Sequence, residues 1–144
     1  MIRVVADTNI VLSAYFWDGL PEKLLLLART GECELLVTDQ LIAELRTVLS
    51  RDKFERNFAA TGVSLDQLIS DYSALVKFVE AAEIPPTILE DPPDDQVLAC
   101  AVGGDARFII SGNRHLLRLK QFQGIEIKTV ADFLTEQFPN DTES

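Results

Sequence analysis

The stretch Ile2-Arg-Val-Val-Ala-Asp7-Thr-Asn-Ile-Val-Leu12 decides the fold. Ile2, Val4, Val5 and Ala6 make an apolar run suited to a strand covered on both faces. Asp7, Thr8 and Asn9 then interrupt it with a carboxylate, a hydroxyl and an amide, and Ile10, Val11 and Leu12 resume the apolar pattern as a helix. One role for Asp7 or Thr8 is to cap that helix by accepting a hydrogen bond from its free N–H groups. The other places Asp7 just beyond a strand's C-terminal end, where open α/β sheets bind their ligands.

Working outward, the first helix runs to about Phe16 and a turn follows at Trp17-Asp18-Gly19. Pro21 suits the first position of a second helix over 22–30, closed by Gly31. Residues 34–38 read as a second strand, with Thr38 or Asp39 capping a third helix through about Leu49. The charged segment 51–61, with Phe54 and Phe58 spaced along it, reads as a helical excursion. Ser64 and Gln67 have the spacing of a capping box, opening a helix expected over 64–82. Residues 84–89 are extended and carry Pro85-Pro86. Asp91-Pro-Pro-Asp-Asp95 leads into a small-residue helix over 96–102, closed by Gly103-Gly104. A strand over 107–111, a short helix over 113–119, a strand over 124–128 and a helix over 129–137 complete the order. Strands alternating with helices predict a three-layer α/β/α fold with a central, mostly parallel sheet of four to five short strands. No repeat or linker divides the chain, so one domain over 1–138 is expected, followed by a polar tail over 139–144.

The totals narrow the function classes. A chain of 144 residues with 47% hydrophobic and 25% charged residues has the composition of an ordinary globular domain. It has neither a signal-peptide pattern nor an apolar run of membrane-spanning length, so a cytoplasmic protein without a membrane partner is expected. Cys33 and Cys100 lie far apart, and with a single His they make neither a zinc site nor a disulfide framework; two buried thiols are expected. A formal net charge of −10 argues against coating nucleic acid through bulk positive charge. It leaves room for a nucleic-acid enzyme, because the basic residues are grouped. Arg46, Arg51, Lys53 and Arg56 form one group and Arg114, His115, Arg118 and Lys120 another. Each group is either a solvated helix face or a grip on a phosphate backbone.

The carboxylates carry the chemistry. On a wheel of about 100° per residue, Leu41, Ile42, Leu45, Val48 and Leu49 make one apolar stripe, and Glu44 lies at its edge, shielded yet reachable. Such a Glu is either a boundary residue whose stem covers the core or a ligand. Asp94 and Asp95 open a helix, where the free N–H groups and the dipole favour a carboxylate. Asp91, Asp94 and Asp95 are nevertheless more acids than one cap needs, and a bound divalent cation would offset their repulsion. Phe108-Ile-Ile-Ser-Gly-Asn113 repeats the opening pattern of an apolar strand ending in polar groups before a helix. Two parallel strands would then deliver polar groups to one edge of the sheet. Hard oxygen ligands of this kind suit Mg²⁺ or Mn²⁺ and metal-assisted hydrolysis of a phosphodiester. A receiver-type phosphoacceptor fits less well, since it wants a second acid close to Asp7 and a Lys after a late strand. A glycine-rich phosphate loop is missing after the first strand.

Four parts of the chain, taken in order, resemble a PIN-domain ribonuclease, close to the bacterial toxin-type branch that includes the VapC-like toxins. They are Val-Ala-Asp7-Thr-Asn9, Leu-Ile-Ala-Glu44-Leu, Asp91-Pro-Pro-Asp94 before Val-Leu-Ala-Cys-Ala, and Phe-Ile-Ile-Ser111-Gly-Asn113-Arg-His-Leu-Leu. The resemblance runs from Val4 to about Phe133. It implies an acidic Mg²⁺ or Mn²⁺ site that cuts RNA, with Asp7, Glu44 and Asp94 as the metal-binding acids. Asp94 is preferred to Asp95 because its distance to the Ala-rich stretch matches the family better, with Asp91 as the other alternative. Asn9, Ser111 and Asn113 would orient carboxylates or water, and Arg46, Arg114 and Arg118 would contact RNA. His115 is expected at the surface or on a phosphate. The sequence departs from the family at Asn113, where many relatives carry a fourth Asp; Asn keeps an oxygen acceptor and loses the charge. That departure supports an alternative function, a PIN-fold module that binds RNA or protein with weak or no catalysis. The family further implies a small antitoxin partner and a homodimer, for which Trp17 and positions 24–27 offer apolar surface.

Overall fold

The computed structural model of the chain describes residues 1–139; the tail expected from Pro139 onward lies, past Pro139 itself, outside them. In chain order the elements are β1 (Ile2–Ala6), α1 (Thr8–Phe16), α2 (Leu20–Arg29), β2 (Cys33–Val37), α3 (Asp39–Leu49), a 3-10 turn (Asp52–Phe54) and α4 (Glu55–Thr61). There follow α5 (Leu65–Leu75), β3 (Lys77–Phe78), a second 3-10 turn (Pro92–Asp94), α6 (Asp95–Gly103), β4 (Phe108–Ile110), α7 (Arg114–Leu117), β5 (Gln121–Phe122), β6 (Ile125–Lys128) and α8 (Val130–Gln137). The strands form one sheet in the order β3-β2-β1-β4-β6-β5, parallel except where β5 turns back along β6.

Period-two alternation divides the core between the two faces. Val4, Ala6, Phe108 and Ile110 point to one face, where α1, α2, α3, α5 and α8 cover them. Val5, Leu36 and Ile109 point to the other, beneath α6 and α7. Both faces of β1 and β4 are therefore buried, which is why these strands lack a polar alternation. The expected three-layer α/β/α fold is the one observed, and Cys33 and Cys100 are both free and buried as expected.

The sheet has six strands among the described residues, against the four to five expected. The additional pairings come from two-residue edge strands, too short to leave a periodic signal. β3 falls inside the helix expected over 64–82, which ends at Leu75. Its capping box is present, with Gln67 N–H donating to Ser64 Oγ at 3.1 Å and Ser64 N–H to Gln67 Oε1 at 2.8 Å. The helix yields because Lys77 and Phe78 pair with Leu36 and Val37 on β2. The chain then runs against α6, where Ala82 N–H donates to the Ala99 carbonyl at 3.0 Å. Gly103 permits that approach, since a Cβ there would stand 1.9 Å from the Glu80 carbonyl oxygen. Of positions 24–27, Leu24, Leu25 and Leu27 are buried and only Leu26 is exposed, so the expected apolar surface shrinks to Leu26, Leu20 and Trp17.

The strand order fixes where a ligand fits. From β1 the chain moves outward through β2 and β3, then crosses to β4 on the opposite side. The seam between β1 and β4 is the switch point of this open sheet, and the crevice beyond the strands' C-terminal ends is the position such folds use for ligands.

Candidate active site

Asp7 follows β1 directly and Ser111 follows β4. Paired register, Ala6 opposite Ile110, sets the two side by side, and Asp7 N–H donates to the Ile110 carbonyl at 3.1 Å. The Asp7 side chain is only 6% exposed. Its Oδ1 accepts from Ile10 N–H at 3.1 Å, so it caps α1. Its Oδ2 accepts a hydrogen bond from the hydroxyl of Ser111, which is fully buried. Cap and cavity wall are thus two jobs of one carboxylate.

The other acids arrive from α3 and from the turn before α6. Glu44 accepts from Thr8 Oγ1 at 3.0 Å, which ties α3 to the start of α1. Asp94 Oδ2 accepts from Asn113 Nδ2 at 3.0 Å, while Asn113 Oδ1 accepts from His115 N–H at 2.8 Å and caps α7. Asn113 N–H donates to Ser111 Oγ at 2.9 Å, completing a chain from Asp7 through Ser111 and Asn113 to Asp94. Asp95 has a different task. Its two oxygens accept from Thr87 N–H at 3.0 Å and Ile88 N–H at 2.8 Å, pinning the extended segment to the start of α6.

Asp7, Thr8, Asn9, Glu44, Asp91, Asp94 and Asn113 line one cavity of about 340 Å³, and Asp95 does not. Burial pushes the Asp7 carboxyl above the ordinary range despite the bonds from Ser111 and Ile10, and the negative charge of Glu44 adds to the shift. Burial, then repulsion from Asp91 and Asp7, raises Asp94 to about 6; the Asn113 bond and His115 oppose it. The cavity therefore concentrates negative charge that its own hydrogen bonds only partly offset. Its donors are all oxygen, the chemistry of a hard divalent cation. Among the described residues, no three His, Cys, Asp or Glu side chains are placed to hold an ion as they stand. Mg²⁺ binds through one or two carboxylates and keeps its other waters, so the donor set fits a hydrated ion.

The basic residues sort differently from the expectation. Arg46 pairs with Asp66 at 2.7 Å and Arg118 with Glu90 at 3.0 Å; neither these nor Arg114 lines the acidic cavity. Arg51 and Lys53 do, and among the described residues neither forms an ion pair. Both belong to the first group of basic residues read from the sequence, but Arg51 lies past the end of α3 and Lys53 in the turn that follows, so only the fold brings them to the cavity. His115 is half-buried beside Arg118, its Nδ1 3.4 Å from that guanidinium.

The chain matches the PIN-domain family model over residues 3–115 and belongs to the PIN-domain family, whose members are generally nucleases. Among solved structures it superposes on a chain of the "Crystal structure of VapBC2 from Rickettsia felis bound to a DNA fragment from their promoter". The TM-score is 0.57 at 15% identity, covering 89% of this chain and 98% of that one, a likeness of fold. No curated protein matches the chain. Among the described residues no helix is long and apolar enough to cross a membrane.

Proposed function

We propose that this PIN-domain protein is a divalent-metal-dependent endoribonuclease of the cytoplasm and the toxin half of a toxin–antitoxin pair. One observation carries the proposal: acids from three separate elements, Asp7, Glu44 and Asp94, wall one cavity at the sheet's switch point. The fold likeness to the VapBC2 structure supports a small antitoxin partner.

In this mechanism Asp7, Glu44 and Asp94 would hold a hydrated Mg²⁺ or Mn²⁺ ion, one or two of them directly and the rest through its waters. When bound, such an ion would supply Lewis-acid activation of water and stabilisation of negative charge developing on the phosphate. Ser111 and Thr8 hold the Asp7 and Glu44 carboxylates by donating hydrogen bonds, and Asn113 does the same for Asp94. Asn9, on the cavity wall, has a side-chain amide that makes no hydrogen bond with other described residues and would meet water or substrate. Arg51 and Lys53 face the same cavity and receive the RNA phosphates on either side of the scissile bond. Arg46, Arg114 and Arg118 contact the backbone farther out. A second copy covers Leu20 and Leu26, the exposed apolar residues of α2, in a homodimer.

The competing reading, a PIN-fold binding module without catalysis, draws on Asn113, which brings no charge to the cavity. Incubation of labelled single-stranded RNA with the purified protein separates the two. Cleavage with Mn²⁺ or Mg²⁺ that stops with chelator and in Asp7→Asn supports the nuclease. Binding without cleavage at any metal concentration selects the module.

A further inference from the structure

The acidic cavity has a neighbour that the proposed chemistry leaves unused. A hollow of about 420 Å³ lies between α1 and the segment from the first 3-10 turn into α4, lined by Asn9, Leu12, Ser13, Trp17, Lys53, Phe54 and Asn57. It shares Asn9, Leu12, Lys53 and Phe54 with the acidic cavity, so the two are continuous. Trp17, the chain's single tryptophan, is 53% exposed there. Its ring is braced from behind, edge-on to Phe16 at 5.9 Å, and Phe16 in turn stacks on Phe54 at 5.8 Å and meets Phe58 edge-on at 5.2 Å. A large aromatic held by an aromatic bed and open to a hollow of mixed apolar and polar walls is a poor core residue and a good stacking platform.

We propose that this hollow is a base-binding subsite for single-stranded RNA, in which an unpaired base beside the scissile phosphate stacks on Trp17 while Lys53 contacts the adjoining phosphate. The proposal rests on the nuclease reading and names where that substrate lies. Three observations point to a nucleotide. The platform is aromatic, and stacking on such a face accepts any base. The shared wall residue Lys53 is a cation in a chain of net charge −10, placed between the platform and the acids. The side chains of Asn9, Ser13 and Asn57 make no hydrogen bond with other described residues and line the hollow, free to meet a base edge. A base must be splayed from its neighbours to enter, which selects single-stranded over duplex RNA.

Because Trp17 is the only tryptophan, its emission reports occupancy directly. The wild-type protein is titrated in chelator with a 2′-O-methylated single-stranded oligonucleotide that resists cleavage. Saturable quenching is expected, with affinity about tenfold weaker in Trp17→Ala by fluorescence polarisation of the labelled oligonucleotide and largely kept in Trp17→Phe. An oligonucleotide made abasic at one position after another should lose affinity at a single position. In cleavage assays Trp17→Ala should raise KM with little change in kcat. Lys53→Ala, which leaves the aromatic bed in place, should weaken binding and flatten its salt dependence. Unchanged affinity of a folded Trp17→Ala protein overturns the subsite, as does emission silent to RNA but blue-shifted with rising protein concentration, which would put a second copy over Trp17. The two readings fail separately. Robust metal-dependent cleavage with unaltered Trp17→Ala binding sinks the subsite alone. Quenching of the wild type with polarisation affinity weakened in Trp17→Ala, but no cleavage at any metal concentration, sinks the nuclease alone.

Discussion

The two ends of β1 and β4 handle charge in opposite ways. At the N-terminal end Arg3 donates from Nε to Glu34 at 3.2 Å and from Nη1 to the Gly104 carbonyl at 3.1 Å, and Arg107 lies over the Phe108 ring at 5.1 Å. Both arginines there meet an opposite charge, a carbonyl or an aromatic face. At the C-terminal end, four residues farther along β1, Asp7 faces Glu44 and Asp94, and the neighbouring bonds from Ser111, Thr8 and Asn113 orient the carboxylates without neutralising them. The same sheet is electrostatically satisfied at one end and frustrated at the other. Local conflict of this sort concentrates where a protein binds or reacts.

The largest effect should come from Asp7→Asn set against Arg3→Ala. Asn keeps the helix cap and removes a repelling charge, so Asp7→Asn should melt at or above the wild-type temperature while RNA cleavage falls more than about a hundredfold. Arg3→Ala should do the reverse, costing about 1 kcal/mol of stability in urea titrations with cleavage unchanged. If both variants lose activity equally, the two ends are not functionally distinct.

Asp94 and Asp95 test the same contrast between adjacent residues. Asp95→Ala leaves the Thr87 and Ile88 N–H groups without their partner and should cost about 2 kcal/mol of stability. Asp94→Asn should cost no stability, gaining some at neutral pH, and should lower the affinity for Mn²⁺, measured by calorimetry. Metal affinity lost in Asp95→Ala instead would exchange the two roles.

Asn113→Asp should sharpen the frustration. The new carboxylate can still cap α7, but it cannot donate to Asp94 and adds a like charge beside it. Mn²⁺ should bind about fivefold more tightly, the equivalent of about 1 kcal/mol for a charge near a partly exposed ion. The metal-free protein should melt lower. Titration calorimetry with no change in affinity would place Asn113 outside the reach of the ion.

The smallest effect is in the pH dependence of the metal-free protein. A carboxyl whose pKa rises on folding supports the fold in its protonated form. For Asp94 that support is complete below the unfolded value of 3.8 and is lost as pH rises through about 6. Wild type should therefore lose stability relative to Asp94→Asn between those values, seen as diverging urea midpoints in chelator. Parallel midpoints would mean that neither burial nor repulsion from Asp91 and Asp7 raises the Asp94 carboxyl.

Much of this site was legible in the residues. Asp7 stood out because a buried strand has no reason to end on a carboxylate other than a cap or a ligand, and it proved to be a cap that also lines the cavity. Glu44 was visible as a margin residue of the α3 stripe. Asp94 could be told from Asp95 only by family likeness, because both stand in a helix's first turn; hydrogen bonds from residues seven and eight positions earlier occupy Asp95. Arg46 comes from one sequence group of basic residues and Arg114 and Arg118 from the other, and Asp66 and Glu90, distant in sequence, pair with two of them.

What the sequence determined by itself is whatever local periodicity and residue chemistry encode. That includes the doubly covered strands, the caps at Asp7 and Ser64, the alternation that requires a parallel sheet, and a surplus of acids beside helix starts. Tertiary structure alone decided the rest, because those choices depend on partners brought together across the chain. The edge strand at Lys77 and Phe78 exists because β2 offers unpaired backbone and Gly103 admits the following chain, which no propensity for 64–82 contains. Trp17 is exposed while its neighbour Phe16 is the one that packs inward against Phe54 and Phe58. The identity of the cavity's cations, Arg51 and Lys53, depends on the turn after α3 folding back over α1. Long-range packing selects among side chains that are locally equivalent, and it is that selection which turns a set of acids into a site.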